Sequence, residues 1–398
     1  MYGPLHLRLV QTLDIYGPWP RQQCEIDGKP VKLMELPYDM FSRYERPKVF
    51  NVVDVPVPEL RDDDILVRPI SLLRSNIVGE ETNRFQIKIK ACGVCGTDLH
   101  IHEGEFIAEF PLVPGHETVG VVAAVGPKVH GFSIGERVVA DNSELCDQCF
   151  FCRRGDALFC EKYKAHGAHL NGSFAEYCAY PAAKVFKIQG ISDLNATLIE
   201  PASCAVHGLE QISPKPGSSA LLFGAGPTGM VLAQLLRLNG VSRLVLAAPP
   251  GLKFDLAKNL NIADEYFPLS RSNASQSFDD LKSANPRGFD TVIEATGNTS
   301  VLERAISYVR RGGKLVVYGV YSNDDRVSWP PSKLFGDEIT IVGSFAQVNR
   351  FPCAIDYLCS GKVRVDGVVS KTFRIDQWEE CLQAVREKKV IKAAIVFD

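Results

Sequence analysis

Four cysteines fall within fifteen residues: Cys146, Cys149, Cys152 and Cys160. The first three are each separated by two residues. Disulfides between such close neighbours would be strained, whereas sulfurs at this spacing converge readily on one ion. Four thiolates closing a tetrahedron leave no open position, so the expected site is a structural zinc that holds a loop in shape and does no chemistry. A second group of possible ligands is scattered. Ala91-Cys-Gly-Val-Cys-Gly-Thr-Asp-Leu-His100 carries Cys95, Thr97 and His100, and Gly115-His116-Glu117 and Leu198-Ile-Glu-Pro201 follow. Taken separately, His116 reads as a satisfied loop histidine and Glu200 as a helix-capping charge.

A third pattern binds phosphate. Ala220-Leu-Leu-Phe-Gly-Ala-Gly-Pro-Thr-Gly-Met230 is an apolar strand, a G-x-G-x-x-G turn and the start of an apolar helix. Gly224 permits the tight turn, Gly226 lets the backbone approach a pyrophosphate, and Gly229 lets helix and strand pack closely. The helix N-terminus offers its unpaired N–H groups to the phosphates. A carboxylate that holds the adenosine ribose of NAD belongs about 20 residues on. Ala247 and Ala248 stand there instead, and Lys253 follows closely. Nothing at that point repels a 2′-phosphate, so the reading leans to NADP over NAD.

These residues need elements to position them. The chain has 398 residues, 45% hydrophobic and 23% charged, with a formal net charge of -3. That length exceeds one core and implies two domains, and the charge gives no argument for nucleic acid or an anionic membrane. Twelve cysteines, with no basic-then-apolar leader and no spanning run, suit metal binding in a cytoplasmic protein more than a disulfide framework. Residues 1–40 are irregular and rich in proline. From Lys48 to Ala140 short β-branched runs alternate with turn residues, which suggests a rolled β-structure. Beyond Pro216-Gly217 strands expected at Ala220–Phe223, Leu244–Ala248, Thr291–Ala295 and Lys314–Tyr318 alternate with helices at Thr228–Leu238, Phe254–Leu260 and Val301–Val309. This is the β-α-β repetition of a doubly wound parallel sheet.

Together the motifs resemble the zinc-containing medium-chain dehydrogenase/reductase family, from about Arg43 to the C-terminus apart from one interruption, and its polyol branch above all. The resemblance implies an α/β protein, with a GroES-like β-rich catalytic domain over 41–202, a Rossmann domain over 203–344 and a return segment over 345–398 that completes the first domain. It makes Cys95 and His116 ligands of a catalytic zinc, with Glu117 beside the metal as ligand or exchange partner. Glu200 falls where classical alcohol dehydrogenases place a second cysteine, and approaches zinc directly or through water. Cys92 reads as a small buried residue. Thr97 and His100 match the family's proton relay. Thr296, Val320 and Phe345 fall beside the nicotinamide. The expected cofactors are two zinc ions per chain and NADP or NAD, the expected substrate is a polyol, D-arabinitol first, and the expected assembly is a homodimer or homotetramer without nucleic acid or membrane.

Ile101 and Ala346 replace an aromatic residue and an arginine of animal sorbitol dehydrogenases, so a sorbitol pocket is not expected, while a pentitol or another secondary alcohol fits. A butanediol or threonine dehydrogenase of the same family is the nearest rival. A zinc-stabilised nucleic-acid-binding protein is a distant one, since only Arg153, Arg154, Lys162 and Lys164 lie near the cysteines. Members of the family run from Asp-Asp-Asp-Ile-Leu directly into a Lys-Ile-Lys-Ala-Cys-Gly-like strand, but here twenty residues, Val67 to Gln86, intervene. Val67-Arg68 can be encoded by GTACGT, Thr82-Asn83 by ACTAAC and Phe85-Gln86 by TTCCAG, the order of a fungal splice donor, branch point and acceptor. The segment therefore reads as a translated intron.

Overall fold

A computed structural model of the chain describes residues 24–26, 29–31, 38–56, 64–65, 86–104, 108–125 and 129–397. The chain parts into two compact units, Met1–Tyr38 and Asp39–Asp398. In the first, Cys24–Ile26 and Lys29–Val31 pair as a short hairpin. No helix among the described residues is long and apolar enough to cross a membrane.

The second unit is built on two large sheets, with smaller two-stranded pairings beside them. One is six-stranded and wholly parallel, in the order Glu265–Pro268, Arg243–Ala248, Ser219–Phe223, Phe289–Glu294, Val309–Val317, Thr340–Gly343. Its central strands are continuous apolar runs because helices cover both faces: Ala220, Leu221, Leu222 and Phe223 are all buried. The strand order reverses direction between Ser219–Phe223 and Phe289–Glu294, which opens a crevice at their C-terminal ends. Gly224 turns there with φ 111°, and a Cβ on Gly229 would lie 2.6 Å from the Gly224 carbonyl, so only glycine lets the helix Pro227–Leu238 start this close to the strand. A Cβ on Gly226 would meet nothing within 4 Å, which leaves its surroundings open to a ligand.

The fifth of these strands starts at Val309 rather than Lys314, because Gly312 and Gly313 hide its first half from a pattern of apolar residues. Glu265–Pro268 and the helix Ala274–Ala284 are absent from the sequence reading. An edge strand carries little apolar periodicity to be read.

The other sheet has seven strands, with Val185–Lys187, Arg137–Ala140, Glu117–Ala124, Gln86–Val94, Lys392–Val396 and Val369–Phe373 in order and Tyr177–Cys178 also paired to Gln86–Val94. The last strand of the chain thus lies against the strand that enters the Cys95 loop, with Ala393 opposite Val94.

The segment Val67 to Gln86, read as a translated intron, lies outside the described residues apart from Gln86. Its flanks are informative. Tyr177 and Cys178 pair with Lys88 and Ile87, while Tyr180 and Pro181 pair with Ile65 and Asp64, all antiparallel. Ile65 and Ile87 therefore face partners two places apart on one stretch of backbone, with room for a single residue between them opposite Ala179. Leu66 fills that place if Val67 to Gln86 is removed, and the alternation of faces is kept. The ladder to the neighbouring strand slips between Gln86 and Ile87, where the interruption ends. A chain lacking Val67 to Gln86 is expected to fold with the same secondary structure and a thermal midpoint at least as high. Loss of cooperative unfolding, read by circular dichroism, would show instead that the segment is integral.

Candidate active site and cysteine lobe

The strand Gln86–Val94 ends at Cys95, which caps the helix Gly96–Glu103. The carboxylate of Asp98, three residues on, accepts the Cys95 backbone N–H at 2.8 Å and so fixes the turn that presents the thiol. Its other oxygen lies 3.6 Å from His116 Nδ1, and burial leaves that oxygen no hydrogen-bonding alternative among the described residues. Asp98 therefore shapes the cysteine loop and sets a carboxylate beside the His116 ring, where it favours one orientation of an imidazole that ligates a metal. Ligand atoms of Cys95, His116 and Glu117 lie within 4.8 Å of one another. A thiol, an imidazole and a carboxylate at that separation suit zinc in an open, three-ligand site.

Glu117 is nearly inaccessible, and Lys392 Nζ reaches its carboxylate at 2.7 Å while donating also to the Val94 carbonyl at 3.2 Å. Glu200, near the start of the helix Ile199–Ile212, is not part of the close triad but lines the same cavity. Burial pushes its carboxyl up to about 7, against the pull of His116. Cys204, one helical turn on, donates to Glu200 Oε1 at 3.6 Å.

The cavity holds about 430 Å³. Cys95, Thr97, His116 and Glu200 line it together with Val320 and Phe345, which stand just beyond the ends of parallel strands. Thr97 Oγ1 is 3.7 Å from Cys95 Sγ. His100 is not among the lining residues, so of the two expected relay groups only Thr97 faces the cavity. Val320 and Phe345 are half-exposed apolar groups in a concave wall, as a surface that a planar ring covers would be. Thr296 instead serves its own loop: its N–H and hydroxyl both bond Glu294, which also bonds the Gly297 N–H and the Tyr321 hydroxyl. Ala248 ends the second parallel strand and is buried. Lys253 lies in the first turn of the helix Leu252–Asn259, and burial, with Lys388 and Lys392 nearby, lowers its pKa.

In the lobe beyond Ser143, the sulfurs of Cys146, Cys149, Cys152 and Cys160 also lie within 4.8 Å of one another, and none forms a disulfide. The backbone turns its N–H groups onto them: Cys149 to Cys146 Sγ at 3.3 Å, Cys146 to Cys160 Sγ at 3.4 Å and Lys162 to Cys160 Sγ at 3.4 Å. Such donors favour thiolates, and those of Cys152 and Glu161 pull the Cys149 thiol down to about 6. The donor set fits zinc with no open position.

One charged group in the cavity wall escapes a reading of spacing. His166 Nδ1 is 2.9 Å from the Asn171 carbonyl and Nε2 is 2.9 Å from Glu144 Oε1. Both partners are acceptors, so both nitrogens carry protons. Burial disfavours that charge, but hydrogen bonds to Cys178, Glu144 and the Asn171 carbonyl outweigh it and lift the pKa up to about 9. Asp98, Lys392 and His166 were all missed, the first for want of weight on its capping position and the other two because their partners are distant in sequence.

Cys149→Ser is expected to lose one zinc per chain in native mass spectrometry and to lower stability, with any second zinc retained. His166 titrates near 6.5 when unfolded and about 9 when folded, so its stabilisation is complete below the first value and lost as the pH rises through the second. Chemical denaturation is expected to show a decline on the order of 3 kcal/mol across that window, flattened in His166→Gln. Equal slopes in the two proteins would refute a charged imidazole.

The same architecture is found in known proteins. Residues 81–190 match the family model of the alcohol dehydrogenase GroES-like domain, and residues 227–360 that of the zinc-binding dehydrogenases. The chain is 52% identical over 361 residues to D-arabinitol dehydrogenase 1 of Uromyces fabae, covering 90% of this chain and 98% of that one. Among solved structures, a Sinorhizobium meliloti 1021 protein bound to NADP is 26% identical, with a TM-score of 0.80 over 91% of this chain and all of the other. An Escherichia coli CFT073 alcohol dehydrogenase complexed with NADH is 25% identical, with a TM-score of 0.77 over 90% of this chain and 99% of the other. With the Cys95 site, the cysteine lobe and the glycine turn set in this frame, the chain belongs to the zinc-dependent alcohol and polyol dehydrogenases that join a GroES-like domain to a nucleotide-binding domain.

Proposed function

We propose that the protein oxidises a polyol, D-arabinitol first, to the corresponding ketose, with NADP as the preferred hydride acceptor. The observation that carries this reading is the cavity whose lining Cys95, His116 and Glu200 share with Val320 and Phe345, just beyond the ends of the parallel strands. The substrate is suggested by the Uromyces fabae relative. The nucleotide is suggested by Ala247 and Ala248 where a ribose-binding carboxylate would stand, and by Lys253, whose charged surroundings are other lysines.

Cys95 and His116 are the proposed ligands of the catalytic zinc, with Glu117 and Glu200 close by, and Cys146, Cys149, Cys152 and Cys160 hold a second, structural ion. When bound, zinc supplies a Lewis acid that lowers the pKa of the substrate hydroxyl, and the nicotinamide accepts hydride. The chain's own residues do the rest. Asp98 holds the imidazole of His116 in one orientation, and Lys392 neutralises Glu117. The Thr97 hydroxyl, beside Cys95, hydrogen-bonds the carbinol oxygen and relays its proton, releasing its own toward solvent as it takes the substrate's. Thr296 acts through the loop it ties to Glu294 rather than by direct contact. His100 passes that proton outward in the family-based reading, which nothing in the cavity lining supports. The reading keeps the cytoplasmic homodimer or homotetramer expected of the family.

Initial rates with D-arabinitol, xylitol, ribitol, sorbitol, mannitol and 2,3-butanediol, each with NADP and NAD, test substrate and nucleotide together. D-Arabinitol with NADP is expected to give the highest kcat/KM. A preference for butanediol over every polyol would overturn the substrate, and an advantage of about tenfold for NAD would overturn the nucleotide alone.

A further inference from the structure

Tyr318 stands just beyond the strand Val309–Val317, and it lines the same cavity as Cys95. Its backbone N–H donates to the Glu294 carbonyl at 2.9 Å, which carries the parallel register one residue past the strand end and fixes where the ring starts. The ring lies against the helix Ile199–Ile212 at Gly208. A Cβ on Gly208 would come within 2.6 Å of Tyr318 Cε2, so the missing side chain of that glycine is the slot the ring occupies. Glu200, Cys204 and Gly208 follow one another at intervals of four and share a face of the helix. The groups whose charge reaches the phenol, after burial itself, are Cys204, Glu200 and Cys95, those at the metal end of the cavity, and together they hold it well above its ordinary pKa and hence a neutral donor.

The Tyr318 hydroxyl is closed to solvent and has no hydrogen-bond partner among the described residues. Of the groups whose charge reaches it, the Cys204 thiol bonds Glu200 instead. A buried phenol left unpaired is costly, and such groups are normally satisfied. What brings it a partner must be polar, must lie in the cavity and must come close to Cys95 and Glu200.

We infer that the Tyr318 hydroxyl is a specificity residue that hydrogen-bonds the substrate hydroxyl next to the reacting carbinol, and so selects polyols over simple alcohols. The inference rests on the polyol reading above. A substrate with a single hydroxyl fills the reacting position and leaves the phenol unpaired, whereas a vicinal diol satisfies both. Sites built to hydrogen-bond a hydroxyl discriminate strongly against analogues that lack it. The class of substrate assigned is therefore an alcohol with at least one neighbouring hydroxyl, and the slot at Gly208 is what keeps the phenol at that depth.

The test compares wild type and Tyr318→Phe on D-arabinitol and on 2-butanol, with nucleotide KM and thermal midpoint measured for both. The variant keeps the ring and its seat on Gly208. Its kcat/KM on the polyol is expected to fall by about ten- to a hundredfold, with 2-butanol and nucleotide KM unchanged and the midpoint not lowered, since an unpaired group has been removed. Gly208→Ala, which crowds the ring, is expected to show the same selective loss on the polyol. An equal loss on both alcohols, a raised nucleotide KM or an unaltered rate on the polyol would each overturn the assignment. A wild type inactive on every polyol but active on 2-butanol would overturn the functional reading itself, and this one with it.

Discussion

The buried ion pair between Lys392 and Glu117 is the interaction on which the active site depends. Neither charge reaches solvent, and each is tolerable in the interior only because the other is there. Removing one partner of such a pair typically costs about 3–5 kcal/mol, since it strands the other. Lys392 comes from the last strand of the chain, Glu117 from the strand after His116, and Val94, whose carbonyl Lys392 also holds, immediately precedes Cys95. One ammonium group thus ties together three strands at the point where the metal triad forms. It also balances the local field. Burial opposes the charge on Lys392, but Glu117, Cys95 and Glu200 more than restore it. A site built from a cysteine and two glutamates gathers negative charge as those groups ionise, and a fixed cation behind them moderates it.

The helix Ile199–Ile212 performs a comparable service between the two sheets. Ala202, Ala205 and Val206 pack in one continuous core with Val119 and Val139 of the β-rich part and with Leu222 and Met230 of the nucleotide-binding part. Because Glu200 and Gly208 ride on the same rigid rod, the metal end of the cavity and the seat of Tyr318 are held at a fixed spacing. Interiors packed this densely do not deform gradually, so small changes in side-chain volume along the rod are felt at both ends.

What could be read from the sequence divides along range. The cysteine lobe was legible because its four sulfurs meet within fifteen residues, and the glycine turn because strand, turn and helix are contiguous. The scattered triad was legible only through family resemblance, since nothing in spacing brings His116 to Cys95. Lys392 stands nearly three hundred residues from the loop it stabilises, and no periodicity marks it. Asp98 carried a local signal, a carboxylate three residues after the capping position, that was outweighed by the more conspicuous Thr97 and His100. In the sequence Tyr318 reads only as the end of a strand, because the slot that makes it significant lies on another element. The start of the strand at Val309 was hidden by the two glycines it contains.

The interruption between Ile65 and Ile87 has a thermodynamic meaning apart from its origin. Both flanks bond the same stretch, Tyr177–Pro181, as one unbroken strand would. The ladder contacts are therefore those of a chain without the twenty residues, and the difference between the two chains lies in the denatured ensemble. Joining ends that far apart costs loop-closure entropy that grows as the logarithm of length, on the order of 2–3 kcal/mol here, against a total stability of about 5–15 kcal/mol. The strand that delivers Cys95 is then assembled against that entropy, and whatever the Cys95 site binds meets a fold with that much less free energy in reserve.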